Sequence, residues 1–149
     1  MRQISYYSHD KQAAITELRK EFSGRVFTGR GEASLFTDLD WFKEFVQDKF
    51  GLEVFPGTLN LRAQRKIDIT VLESLRQPNI GYTLQSPDQK YCSARLFLVR
   101  IPRNVKAAIV IPEIAQYPRD VCEIVSDLNL REALLLSDGQ LVQTTIEVR

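Results

Sequence analysis

Thr58 and Asn60 stand one residue apart directly after a Pro-Gly turn, in the stretch Phe-Gly-Leu-Glu-Val-Phe-Pro-Gly-Thr-Leu-Asn-Leu-Arg. The alternation of polar and apolar residues predicts a strand, with a hydroxyl and an amide on one face and Leu59 and Leu61 on the other. Two neutral oxygens side by side suit Mg²⁺, a hard cation that keeps several waters and takes further ligands from substrate phosphates. Neutral ligands leave the ion's charge for those phosphates. The bland alternative is a pair of solvent-facing strand residues.

A second candidate is the run Gly-Arg-Val-Phe-Thr-Gly-Arg-Gly-Glu-Ala-Ser, residues 24–34. Gly29 and Gly31, separated by Arg30, let backbone N–H groups come close to an anion, and Arg30 adds charge. The same residues also suit an ordinary strand-to-loop turn. Gly24 and Gly29 have Walker A spacing, but Arg30-Gly31 replaces the Lys-Ser/Thr that motif needs. Gly29, Gly31 and Ser34 make only part of a dinucleotide fingerprint, and no βαβ pattern follows. Glu123 is the third candidate. In Val-Cys-Glu-Ile-Val it falls between Val121 and Val125 on one strand face, where a carboxylate either reaches solvent or serves a ligand.

These residues need a scaffold, and the pattern around them is mainly that of strands. Strand signals cover residues 24–29, 57–62, 91–101, 106–111, 121–125 and 140–148, the last with Val142, Thr144, Ile146 and Val148 on one face. A barrel is the expected closure. Ile15, Leu18 and Phe22 at helical spacing predict a helix over residues 10–22, capped by Asp10. A second helix, opened by Thr37 or Asp38, carries Leu39, Phe42, Phe45, Val46 and Phe50 and stops at Gly51. Residues 130–136 predict a short helix before the Ser137-Asp138-Gly139 turn, and residues 76–90 a long loop.

The 149 residues, 44% of them hydrophobic, are enough for one core. A net charge of +1 excludes a global basic field for nucleic acid or anionic lipid, so any anion site must be local. The absence of a long apolar run and of a secretory leader pattern predicts a cytoplasmic protein without membrane contact. Cys92 and Cys122, far apart in apolar runs, read as two small buried hydrophobes. The single histidine, His9, reads as a solvated residue near a helix start.

Four blocks now stand in order: residues 24–32, residues 50–60 with Pro-Gly-Thr-Leu-Asn, residues 123–131 with Glu-Ile-Val-Ser-Asp-Leu-Asn-Leu-Arg, and Leu-Ser-Asp-Gly at 136–139. Together they resemble the CTP-dependent riboflavin kinases of archaea, over about residues 24–148. The resemblance implies a compact six-stranded cradle-loop (RIFT-type) β-barrel with a few flanking helices over residues 24–149; residues 1–23 lie outside it and read, from their own pattern, as a helical extension. It implies transfer of the γ-phosphoryl of CTP to riboflavin, giving FMN and CDP, with Mg²⁺ held by Thr58 and Asn60. By the same resemblance Gly29, Arg30, Gly31, Glu32, Ala33 and Ser34 hold the nucleotide together with Leu128, Asn129, Leu130 and Arg131. Glu123 and the position of Ala115 contact flavin, and Glu123 positions the acceptor.

The chain departs from the family pattern at Ala33, usually glycine, at Asp127, usually proline, at Gln140, usually aspartate, and at Ala115, usually threonine. Two functions follow. Thr58, Asn60 and Glu123 favour the kinase, whereas Ala33 and Ala115 favour an altered or inactive homologue that binds a nucleotide or flavin as a regulatory module. A nucleic-acid module resting on Arg62, Arg65 and Lys66 is disfavoured by the neutral net charge.

Overall fold

The computed structural model describes residues 19–31 and 36–148. Their strands are β1 (Arg19–Phe27), β2 (Leu59–Ala63), β3 (Tyr82–Leu84), β4 (Ala94–Ile101), β5 (Val105–Pro112), β6 (Val121–Val125) and β7 (Leu141–Glu147). Three α-helices accompany them: α1 (Asp40–Phe50), α2 (Lys66–Ser74) and α3 (Leu130–Ala133). Six strands run in the order β4-β5-β6-β2-β1-β7, and β7 pairs back onto β4, so the expected six-stranded barrel closes. Every pairing is antiparallel. β5 pairs along one whole edge of β4, while β3 takes the start of the other edge and β7 its end. No helix among the described residues is long and apolar enough to cross a membrane.

Two apolar clusters explain why the central strands are hydrophobic on both faces. Phe97, Val99, Ala107, Ile109, Cys122 and Ile124 point into the barrel with Phe22, Leu59, Leu61 and Ile146. Leu96, Ala108, Val110 and Val125, on the alternate face, are covered by Phe42, Val46 and Phe50 of α1. The run Lys-Ala-Ala-Ile-Val-Ile is therefore a strand buried on both sides rather than a half-wet one. α1 ends as its sequence requires: Gly51 adopts φ 68° and its N–H donates to the Gln47 carbonyl.

Several expectations need correction. The helix over residues 10–22 lies mostly outside the described residues, as does His9, but Arg19–Phe27 is strand. The barrel thus begins inside the stretch read as a helical extension. Neither Thr37 nor Asp38 caps α1, whose N-cap position is Leu39. Thr37 is buried, and its hydroxyl accepts the Gly57 N–H at 2.9 Å, tying the helix entry to the Pro-Gly turn. The loop over residues 76–90 contains β3. Cys122 is buried as expected, and burial pushes its thiol up, but Cys92 is exposed.

α2, absent from the sequence reading, seals β1. β2 ends at Ala63 opposite Gly24, and the neighbouring Ser23 N–H donates to Asp68 Oδ1 at 2.9 Å. Asp68 is 2% exposed and also accepts from the Arg65 guanidinium at 2.7 and 3.1 Å. The Arg65 bonds hold its carboxyl below the usual carboxylate range. A lowered folded-state pKa contributes stability above the ordinary carboxylate value, and that contribution is lost as pH falls through the lowered one. Asp68→Asn should therefore cost stability at pH 7 and progressively less below about pH 4. Urea unfolding of both proteins at pH 7 and pH 3 checks this; an equal difference at both would refute it.

Candidate functional site

β2 divides its residues as the alternation requires: Leu59 and Leu61 enter the barrel, while Thr58, just before the strand, and Asn60 lie on the outer face. Asn60 sits directly across from Glu123 of β6. On β6, Cys122 and Ile124 likewise face inward and leave Glu123 outside. Cross-strand pairing thus joins residues far apart in sequence into one polar cluster. The Thr58 hydroxyl donates to Glu123 Oε1 at 3.1 Å, and its oxygen lies 3.4 Å from Asn60 Oδ1.

Above this cluster β1 ends at Phe27, paired with Asn60, and the chain turns through Thr28, Gly29, Arg30 and Gly31. Gly29 lies against the Asn60 amide so closely that a Cβ would come 2.6 Å from Nδ2. That contact seats the nitrogen side of the amide and leaves Oδ1 beside Thr58. Gly31 adopts φ 79°, a conformation that favours glycine. Gly29→Ala should push the Asn60 amide aside and weaken any divalent-cation binding at the Thr58–Asn60 pair about ten- to a hundredfold, the usual loss when a ligand's support is removed. Calorimetric titration of both proteins with Mg²⁺ checks this; equal Mg²⁺ affinity would count against it.

These residues line a cleft of about 600 Å³ together with Arg62, Tyr117, Pro118 and Arg131. Arg30, Arg62 and Arg131 line the cleft with positive charge and Glu123 with a carboxylate, a local concentration of arginine in a chain of net charge +1. Arg62 also lies over the Phe27 ring at 4.7 Å. Arg131 is fixed by Asp138 at 2.8 Å and donates to the Phe27 carbonyl at 3.2 Å. Asp138 accepts from Thr28 at 2.8 Å, and its bonds to Arg131 and Thr28 hold its carboxyl below the usual range. Gln140, one of the departures, accepts the Ser137 N–H through its side-chain oxygen at 2.6 Å, so the turn carrying Asp138 keeps an internal acceptor.

Leu128, Asn129, Leu130 and Arg131 border an adjoining cavity of about 120 Å³ that also touches Gly57 and Thr58. Asn129 caps α3 by accepting the Glu132 N–H. The two segments assigned to the nucleotide thus meet around Thr58 and Arg131. Glu32, Ala33 and Ser34 lie outside the described residues.

On the other side of Glu123 is an apolar cavity of about 580 Å³, lined by Phe36, Trp41, Phe42, Leu84, Tyr91 and Ile114 among others. Trp41 and Tyr91 have ring centroids 6.2 Å apart, and Cys92 lies at this wall. Tyr117 and Glu123 border both this cavity and the polar cleft. Ala115 lies on the exposed turn between Ile114 and Tyr117 and borders neither cavity, although both of those neighbours do. Tyr117, Trp41 and Tyr91 were not singled out from sequence: Tyr117 sits in a segment with no strand or helix period, while Trp41 on α1 and Tyr91 at the start of a strand signal carry no mark that separates a cavity wall from core.

The donor set fits a hard divalent cation. Adjacent ligands of Mg²⁺ at about 2.0–2.1 Å lie about 3 Å apart, close to the observed Thr58–Asn60 oxygen separation. Among the described residues no group of three or more His, Cys, Asp or Glu offers an alternative centre. Glu123 Oε1 at 3.1 Å is the nearer of the two acceptors within reach of the Thr58 hydroxyl, and donation to it leaves hydroxyl lone pairs available to a metal.

The model of the family CTP-dep_RFKase, described as domain of unknown function DUF120, matches residues 26–146. A riboflavin kinase of Methanocella arvoryzae is 32% identical over 124 residues, covering 83% of this chain and 56% of the relative. One from Pyrobaculum aerophilum is 35% identical over 130 residues, covering 83% and 59%. One from Saccharolobus solfataricus is 32% identical over 143 residues, covering 93% and 79%. The chain therefore spans little more than half of the first two relatives. With a matched stretch running from β1 to β7 and enclosing both cavities, the chain belongs to the CTP-dep_RFKase family.

Proposed function

We propose that this chain is a CTP-dependent riboflavin kinase acting in the cytoplasm, transferring the γ-phosphoryl of CTP to riboflavin to give FMN and CDP. The observation that carries the reading is the meeting of two unlike cavities at Tyr117 and Glu123. An arginine-lined cleft with neutral oxygen donors suits a metal-bound triphosphate, and an aromatic cavity suits a flat flavin ring. The family and the names of the relatives support the same chemistry.

Thr58 and Asn60 would hold Mg²⁺, which when bound supplies charge neutralisation between neighbouring phosphates. Gly29 and Gly31 admit phosphate oxygens to the backbone, and Arg30, Arg62 and Arg131 offset their charge. The aromatic cavity orients the flavin so that its ribityl chain reaches the seam beside Glu123. There the terminal hydroxyl oxygen bonds to the γ-phosphorus as the γ-phosphorus–oxygen bond to the β-phosphate breaks, CDP leaves with that bridging oxygen, and the hydroxyl proton passes to water. Such a transfer asks mainly for positioning and charge neutralisation, which these residues supply without a strong base.

The test is incubation of the purified protein with riboflavin, Mg²⁺ and each of CTP, ATP, GTP and UTP, followed by separation of the flavins. FMN with CTP alone is expected. Riboflavin binding without FMN from any nucleotide would instead point to a non-catalytic binding module.

A further inference from the structure

Tyr117 belongs to no strand or helix, yet it is held on every side. Its hydroxyl donates to Glu123 Oε2 at 2.8 Å, while Thr58 occupies Oε1. Arg76 donates to the Tyr117 carbonyl at 3.3 Å and to that of Pro118 at 3.1 Å, and its guanidinium lies 5.7 Å from the Tyr117 ring centre. Burial, with the Glu123 carboxylate beside it, raises the phenol's pKa, so Tyr117 stays a proton donor throughout the working range. A carboxylate with one donor on each oxygen cannot rotate without breaking a charge-assisted bond.

The geometry points to Tyr117 as a positioning residue: it locks Glu123 at the seam between the two cavities, where the acceptor hydroxyl meets the metal side of the cleft. This rests on the kinase reading. Glu123 is anchored to the cleft through Thr58 and to the cavity wall through Tyr117, so each carboxylate oxygen is held by one donor at the border of the two cavities. Without the phenol hydroxyl, the carboxylate keeps only its Thr58 bond and can swing. The ring and its Arg76 support remain in Tyr117→Phe, which separates this role from packing.

The experiment is a double-mutant cycle on the full chain with wild type, Tyr117→Phe, Glu123→Gln and the double variant. Riboflavin affinity is read by flavin fluorescence, turnover by FMN formation with CTP and Mg²⁺, and folding by thermal melting. Tyr117→Phe should lower kcat about ten- to a hundredfold, as loss of a bond to a charged group does, and weaken riboflavin binding only about three- to tenfold. In the Glu123→Gln background the same substitution should change either quantity less than about twofold, because its partner's role is already gone. Additive losses would overturn the proposal. So would a kcat within twofold of wild type, including the case in which only KM rises and Tyr117 is merely a wall. If wild type binds riboflavin but forms no FMN with any nucleotide, the kinase reading fails and the binding cycle alone decides for or against Tyr117. If it binds no riboflavin, both fall.

Discussion

Asn60→Ala is expected to lower CTP-dependent FMN formation about a hundred- to a thousandfold and to abolish the Mg²⁺ dependence of nucleotide binding, while the protein stays folded. The size follows from the role proposed for the amide: it supplies one of the two oxygens assigned to the cation, and loss of one preorganised electrostatic partner at a reacting centre commonly costs that much. Retained folding follows from the strand's other face. Leu59 and Leu61 are buried in the barrel and are unaffected by a change on the outer surface. Two measurements check it, namely calorimetric CTP titration with and without Mg²⁺ and a thermal melt. Equal, Mg²⁺-dependent affinity in both proteins would rule out Asn60 as a ligand, whatever the activity.

The largest stability effect is expected at Phe22. Its ring is fully buried in the barrel and lies over Gly24, where a Cβ would meet Phe22 Cζ at 2.9 Å and Leu61 Cβ at 3.0 Å. The glycine leaves room for the ring, so removing the ring leaves a void that the backbone of β1, paired on both sides, cannot close. Phe22→Ala should cost about 3–5 kcal/mol and lower Tm by about 10 °C. The same geometry makes a reciprocal demand: Gly24→Ala should destabilise the wild type more than it destabilises Phe22→Ala. Urea unfolding of the four proteins measures both effects. A loss of under about 1 kcal/mol for Phe22→Ala would mean that the site collapses freely.

The same residue shows why sequence pattern led astray at the start of the barrel. Phe22 completes a helical spacing with Ile15 and Leu18, but it equally begins the alternation Phe22, Gly24, Val26, all buried on β1. Gly24 hid that alternation because it contributes no apolar side chain. α2 was missed for the opposite reason. Ile67, Ile69, Thr70 and Val71 are β-branched and favour strands locally, whereas burial of Leu72 and the Asp68 bond to Ser23 are tertiary facts that override propensity. β7 was legible because Val142, Thr144, Ile146 and Val148 alternate without interruption and all are buried. At the site, period-two spacing exposed Thr58, Asn60 and Glu123 individually. Their convergence depends on the register of β2 against β6, which one chain does not spell out.

The barrel joins its first described strand to its last, with Arg19 opposite Glu147 and Arg25 opposite Leu141, before β7 closes the ring on β4. During synthesis β1 therefore emerges from the ribosome long before its partner exists, and β4 likewise waits for β7 at Val99 and Arg100. Such sequence-distant pairing slows folding and leaves strand edges exposed meanwhile. Until β7 emerges those edges stay open, and truncation before Leu141 is expected to leave an unclosed, aggregation-prone sheet rather than a weakened barrel.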